Sequence, residues 1–327
     1  MRNTYLTGAV CFLAAALLLC VASVGYSGGS GYAGGGFSFM WGNVELSDER
    51  IFDMSGIRNV DILCDSMNVV FDESGDETCT VKVYQHKKRK GAEVRMESAG
   101  DTLSVRREHS NYAVVSLFGF RFGDGTEKVE IFLPKSYHGT VRVETGSGNI
   151  GAEADLQLAD FQAAAGSGNI RCRNVAAKEI TVSAGSGNIS FGNAEGNRNI
   201  TAGSGNIRIL GGAGNTVVST GSGTITVEGA KGSFNGSAGS GNIRVCMEEV
   251  SDEIRIATVS GNIKLEIPTE SSFVYAGDSV SGKIWTDFDN LLEWNRKGNK
   301  AKGSYRDGSD IRISTQASSG NTTVVLR

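Results

Sequence analysis

Beyond residue 57, apolar and polar residues alternate along most of the chain, and glycine breaks the alternation at regular intervals. Alternation over short runs predicts strands with one buried face. Such runs carry Ile170 and Cys172, Ile189 and Phe191, Ile207 and Ile209, Ile225 and Val227, Ile243 and Val245, and Ile263, Leu265 and Ile267. A second set, with Val141 and Val143, Ile180 and Val182, or Ile254 and Ile256, precedes the glycines. Between the two sets lies one pentapeptide. GSGNI stands at 146–150, 166–170, 185–189, 203–207 and 239–243, and GSGTI at 221–225. Decayed copies follow at 259–263 (VSGNI), 280–284 (VSGKI) and 318–322 (SSGNT). The starts step by 20, 19, 18, 18, 18, 20 and 21 residues, then by 38, which reads as two steps of 19. Self-similarity at this period marks a repeat architecture.

A period near 19 holds two short strands and two glycine corners. It is too short for a strand plus a crossover helix, which needs roughly 30 residues. One turn buries about four apolar side chains at roughly 1.5–3 kcal/mol each. Ordering its backbone costs about 1–2 kcal/mol per residue. A lone turn therefore cannot stand, and its backbone groups must pair with turns above and below, about 4.8 Å apart. The expected fold is all-β: a parallel β-solenoid, right-handed in the usual sense of parallel connections, with an N-terminal β cap region and one N-terminal hydrophobic helix ahead of it. Asn149, Asn169, Asn188, Asn206, Asn242 and Asn262 recur at one corner. Stacked there, they are expected to form a structural Asn ladder along the solenoid.

The same residues carry a family resemblance. Tandem SGNI corners, a β region ending in Ile131, Leu133 and Pro134, and a closing stretch from Ile311 to Asn321 resemble the bacterial DUF4097 family of adhesin-like proteins. The resemblance spans about residues 50–327. It implies a β-solenoid at the bacterial cell envelope, often beside envelope-stress systems. It carries over no catalytic residue, because the family has none agreed.

The rest of the chain divides by composition. Residues 1–25 contain an uncharged apolar run at 6–24 after the single cation Arg2. That run is just long enough to span a bilayer, and it also suits a cleaved secretory signal. Both readings place the remainder outside the cytoplasm: a single-pass membrane protein with an extracytoplasmic C-terminal domain, or a secreted one. Residues 26–36 are a glycine-rich tether. Residues 37–135 read as the opening coils or β cap of the solenoid. Residues 136–327 read as the repeat solenoid with a C-terminal cap.

Charge and chemistry narrow the function. Residues 37–135 carry 13 basic and 17 acidic groups, and residues 136–327 carry 18 and 19. Neither has the basic excess of a nucleic-acid binder. No C-x-x-C or H-x-x-x-H occurs, and the corners lack the Asp of calcium-binding repeats. No metal, cofactor or catalytic group is expected. Two G-x-G-x-x-G matches, at 29–34 and 146–151, precede no helical pattern and are accidents of glycine content. Cys64 and Cys79 read inward, as a disulfide or as two buried thiols.

Candidate contact residues are Lys87, Lys88, Arg89 and Lys90 in a basic loop, Phe118 and Phe120 in an apolar loop, and Trp294 near the C-terminal end. The basic loop suits anionic polymer or lipid headgroups, or is a solvated turn that guards a sheet edge. The aromatics suit a glycan or a protein partner, or pack as caps. The expectation is a non-catalytic, adhesin-like envelope protein that binds a cell-envelope polymer, lipid headgroups or an envelope protein. The alternatives are a cell-wall glycan-active β-helix enzyme and a self-assembling rod.

Overall fold

A computed structural model describes residues 44–86, 93–107, 127–307 and 310–327. Among them the only helical piece is a 3-10 turn, Asp289–Leu291. Everything else regular is strand, stacked as a β-solenoid.

Each rung enters a corner on one strand and leaves on another, and every rung pairs in parallel with its neighbours. After the corner, Ile150 faces Ile170, which faces Ile189, and the column continues through Ile207, Ile225, Ile243 and Ile263. Before it, Ala165 faces Ala184, then Ala202, Thr220, Ala238 and Thr258. The alternate residues point inward and form one continuous core.

The second glycine of each corner exists because of this stacking. A Cβ on Gly168, Gly187, Gly205 or Gly241 would drive into the carbonyl oxygen of the corresponding glycine one rung earlier. All nine copies keep that glycine, whereas the first glycine becomes Val259, Val280 and Ser318 in the decayed copies.

At the N-terminal end the solenoid begins before the recognisable repeats. The strands Asn59–Cys64 and Asn68–Glu73 form a rung whose corner reads DSMN instead of GSGN. It carries the strands Thr140–Thr145 and Ile150–Ala165 on one side. On its other side lie Thr102–Arg107 and Lys128–Leu133, also parallel. The chain thus makes a rung, steps outward to make a further one, and returns to the inner side. Antiparallel strands finish this end: Thr78–His86 on Lys128–Leu133, Val44–Asp53 on Thr78–His86, and Val94–Ala99 on Thr102–Arg107. Residues 42–327 form one compact unit.

The C-terminal end repeats the device in mirror order, and here the 38-residue step proves not to be two stacked turns. The corner at 318–322 lies directly on the corner at 259–263, since Ile263 pairs with Thr322 and Ser260 with Ser319. The corner at 280–284 lies outside it, with Ile284 on Thr322. The last strands, Arg312–Ser319 and Thr322–Leu326, slide between two rungs made earlier. Residues between the outer rung and the last strands build an antiparallel hairpin, Leu292–Trp294 with Lys300–Tyr305, that pairs with Phe273–Ser279 and covers its outer edge. An uncovered edge would offer unpaired backbone to another chain.

Candidate functional site

Lys87, Lys88, Arg89, Lys90, Phe118 and Phe120 lie outside the described residues. The corner asparagines and Trp294 lie within them, in different places.

The asparagines face solvent along one edge. Each accepts, through Oδ1, the backbone N–H of the next rung: the Asn169 N–H donates to Asn149 at 2.8 Å, that of Asn188 to Asn169 at 2.9 Å, and that of Asn206 to Asn188 at 2.9 Å. Side-chain amides add weaker bonds of 3.2 Å from Asn169 to Asn149 and from Asn188 to Asn169. The series starts earlier than the pentapeptides, at Asn68, whose Oδ1 receives the Asn149 N–H at 2.8 Å. Thr224 donates its N–H to Asn206 at 2.8 Å but has no amide to pass on. A second series runs from Asn242 to Asn262, Asn321 and the N–H of Lys283, again in swapped chain order. These side chains satisfy corner N–H groups that the rungs leave over. Asn68 and Asn321 were missed because DSMN hides the motif and because Asn321 joins only through the rung exchange.

Trp294 belongs to a groove of about 770 Å³ between the C-terminal hairpin and the outer face of the solenoid. The hairpin side presents Trp294, Asn295, Glu293, Lys300 and Lys302, and the sheet side presents Asn235, Arg255, Ser314 and Gln316 among others. The indole Nε1 donates to the Asp289 carbonyl at 3.0 Å, and the ring packs against the core as well as lining the groove. The charges here are paired. Lys300 meets Asp278 at 2.6 Å, Lys302 meets Glu293 at 3.2 Å, and Arg255 meets Glu253 at 2.7 Å. The local field is therefore close to neutral, and polar contact in the groove comes from amides and hydroxyls.

Below the groove the core is aromatic. Phe273 stacks on Tyr305 at 5.3 Å, and Phe288 stands edge-on to Phe273 and Tyr275. The Tyr275 hydroxyl pairs with the Thr315 hydroxyl at 2.8 Å, and burial raises it to about 12. These rings belong to the buried core against which Trp294 packs.

Three features stand apart from the groove. Arg198 is buried at a position where neighbouring rungs carry Ile180 and Thr216. Its guanidinium donates to the carbonyls of Ala194, Gly211, Gly212 and Gly214 and to Thr216 Oγ1. Burial pulls it down to about 10, so it stays charged at neutral pH. Arg107 and Glu127 pair at 2.9 Å, each side chain 5% exposed, beside the facing ends of the strands Thr102–Arg107 and Lys128–Leu133 of the outer N-terminal rung. Cys64, Cys79 and Cys172 are free, buried thiols, each pushed up to about 12 by burial. Among the described residues, no group of three or more His, Cys, Asp or Glu is placed to hold a metal ion.

The Toastrack DUF4097 family model matches residues 57–325. The chain belongs to the DUF4097 family. No curated protein matches it. A crystal structure of a candidate adhesin from Bacteroides fragilis is similar at 13% identity, covering 85% of this chain and 96% of that one, with a TM-score of 0.41. A candidate adhesin from Parabacteroides distasonis is similar at 12% identity over 86% and 97% of the two chains, with a TM-score of 0.36. A candidate lipid-binding protein from the same organism is similar at 16% identity over 84% and 96%, with a TM-score of 0.35.

Proposed function

We propose that this DUF4097 protein is a non-catalytic, adhesin-like binding module displayed outside the cytoplasmic membrane. The observation that carries the reading is the Trp294 groove: a concave site whose indole packs against the core, with its lysines and its arginine held by carboxylates. Such a site fits recognition. The partner is a cell-envelope polymer, a lipid headgroup or an envelope protein. Residues 6–24, which lie outside the described residues, serve as membrane anchor or secretion signal. The rungs wind right-handed, the usual sense for parallel β connections. A link to envelope stress comes from the family resemblance.

Two measurements on the full-length chain test this. Intact cells are treated with protease, and isolated envelopes are assayed for retention of the chain through washes of rising salt. The expected result is cleavage from outside and retention on envelopes. A chain found in the cytoplasmic fraction and shielded from protease overturns the reading. So does turnover of a cell-wall glycan that is lost on Asp278→Asn or Glu293→Gln.

A further inference from the structure

The two broad faces of the solenoid differ in charge, and only one of them leads into the groove. After the corner, one outward row reads Arg171, Ser190, Arg208, Thr226, Arg244 and Lys264 in successive rungs. That row is dominated by cations. Before the corner, one outward row reads Gln162, Thr181, Asn199, Val217 and Asn235, and the row beside it reads Ala164, Ser183, Thr201, Ser219 and Ser237. Neither of these rows carries a charge over five rungs. Both continue under the hairpin: Asn235 leads to Arg255 and Ser314, and Ser237 to Ala257 and Gln316. The groove is therefore the roofed end of a long, flat, neutral strip of hydroxyls and amides.

We propose that this strip and the Trp294 groove together bind a neutral glycan chain lying along the solenoid axis. The proposal deepens the binding reading above and rests on it.

Four observations select this ligand class. First, an indole held by a hydrogen bond to Asp289 offers an apolar wall beside a wet groove. A pyranose has matching surfaces, with C–H groups on its face and hydroxyls around its edge. Second, the strip offers side-chain hydroxyls and amides, which both donate and accept, as a polyol requires. Third, the groove cations are neutralised by Asp278, Glu293 and Glu253, so an anionic headgroup or an acidic polymer would find no uncompensated charge. Fourth, the strands of the strip are paired in parallel on both sides. A peptide could not add itself to those strands as a further one, because both of their edges are already paired. The rung spacing of about 4.8 Å is also close to the length of one sugar residue in an extended chain, so contacts can repeat rung by rung.

The test is calorimetric titration of the full-length chain, held in a detergent without a sugar headgroup. The probes are cellohexaose, chitohexaose and mannohexaose. The expected result is one-to-one binding of at least one probe. Its Kd should change less than about twofold between low and high salt. Trp294→Ala should weaken it about tenfold or more. Asn235→Lys, on the surface of the strip, should weaken it comparably, and Trp294→Phe should retain most of the affinity. Matching circular dichroism of all variants guards against loss of fold.

Failure of all three probes to bind overturns the proposal, as does binding that neither Trp294→Ala nor Asn235→Lys weakens. Tighter, salt-sensitive binding to polygalacturonate or to vesicles of phosphatidylglycerol overturns it too. If the chain stays on envelopes while no oligosaccharide binds, the glycan proposal fails and the general binding reading stands. Loss of envelope retention by the unaltered chain sinks both.

Discussion

Single residues show where the repeat is under strain and where it is not. Thr322 takes the place of isoleucine in a column where it meets Ile263 and Ile284, and its buried hydroxyl finds no partner. Thr322→Val should raise stability by about 1 kcal/mol, seen as a higher urea midpoint with an unchanged slope. Arg198 presents the opposite case. Its guanidinium satisfies carbonyls of a glycine-rich corner, so Arg198→Met, although apolar and inward, should cost about 1–3 kcal/mol by leaving those carbonyls unmet. An unchanged midpoint would show that water replaces the guanidinium. The buried thiols predict an alkaline limit. Their folded values lie near 12 against an ordinary 9.0, so the stability they contribute is complete below pH 9 and is lost as pH rises toward 12. Urea midpoints should fall over that range, and Cys172→Val should blunt the fall.

Elements are positioned by pairing, and pairing need not follow chain order. At both ends the chain lays down the outermost rung before a rung further in: Thr140–Thr145 then takes the inner side of Asn59–Cys64 at one end, and Arg312–Ser319 the slot between two earlier strands at the other. Ending the chain at residue 310 should therefore do more than remove a terminal turn. It takes out a layer between Glu253–Ser260 and Val274–Ser279. Hydrogen exchange should show lost protection in both flanking strands and in the hairpin that carries Trp294. Protection confined to normal values in Phe273–Ser279 would contradict the observed order. The corner spacing revealed that copies at 280–284 and 318–322 exist, but spacing along a chain carries no information about which of two parallel slots a strand takes.

At the scale of the molecule the solenoid is quasi-one-dimensional, since each rung touches only its neighbours. Rungs stepping by 18 residues keep register, as Ile207 with Ile225 and Ala202 with Thr220 show. Duplicating residues 203–220 should therefore be tolerated, with a melting temperature within about 5 °C of the parent. Inserting half of that segment should break the register and yield insoluble chain, because inward residues would meet outward ones. If the full-rung insertion also fails to fold, the ends are coupled in a way nearest-neighbour stacking does not provide.

The repeat, its inward and outward faces and its glycine corners were legible from local pattern alone. Alternation needs only the pleat of a strand, and the corner glycines need only the close approach of stacked backbones. Trp294 was also visible as an aromatic in a weakened repeat. Four things waited for the tertiary structure: the hidden first rung at DSMN, the exchange of rung order at the C-terminal end, the carbonyl shell around Arg198, and the groove that sets Trp294 over Asn235 and Gln316. Each brings together residues far apart in the chain, where position depends on which strand edge is still unpaired when a segment arrives. Local periodicity determines what a rung is; only the three-dimensional pairing of edges decides where each rung lies and which side chains meet across the groove.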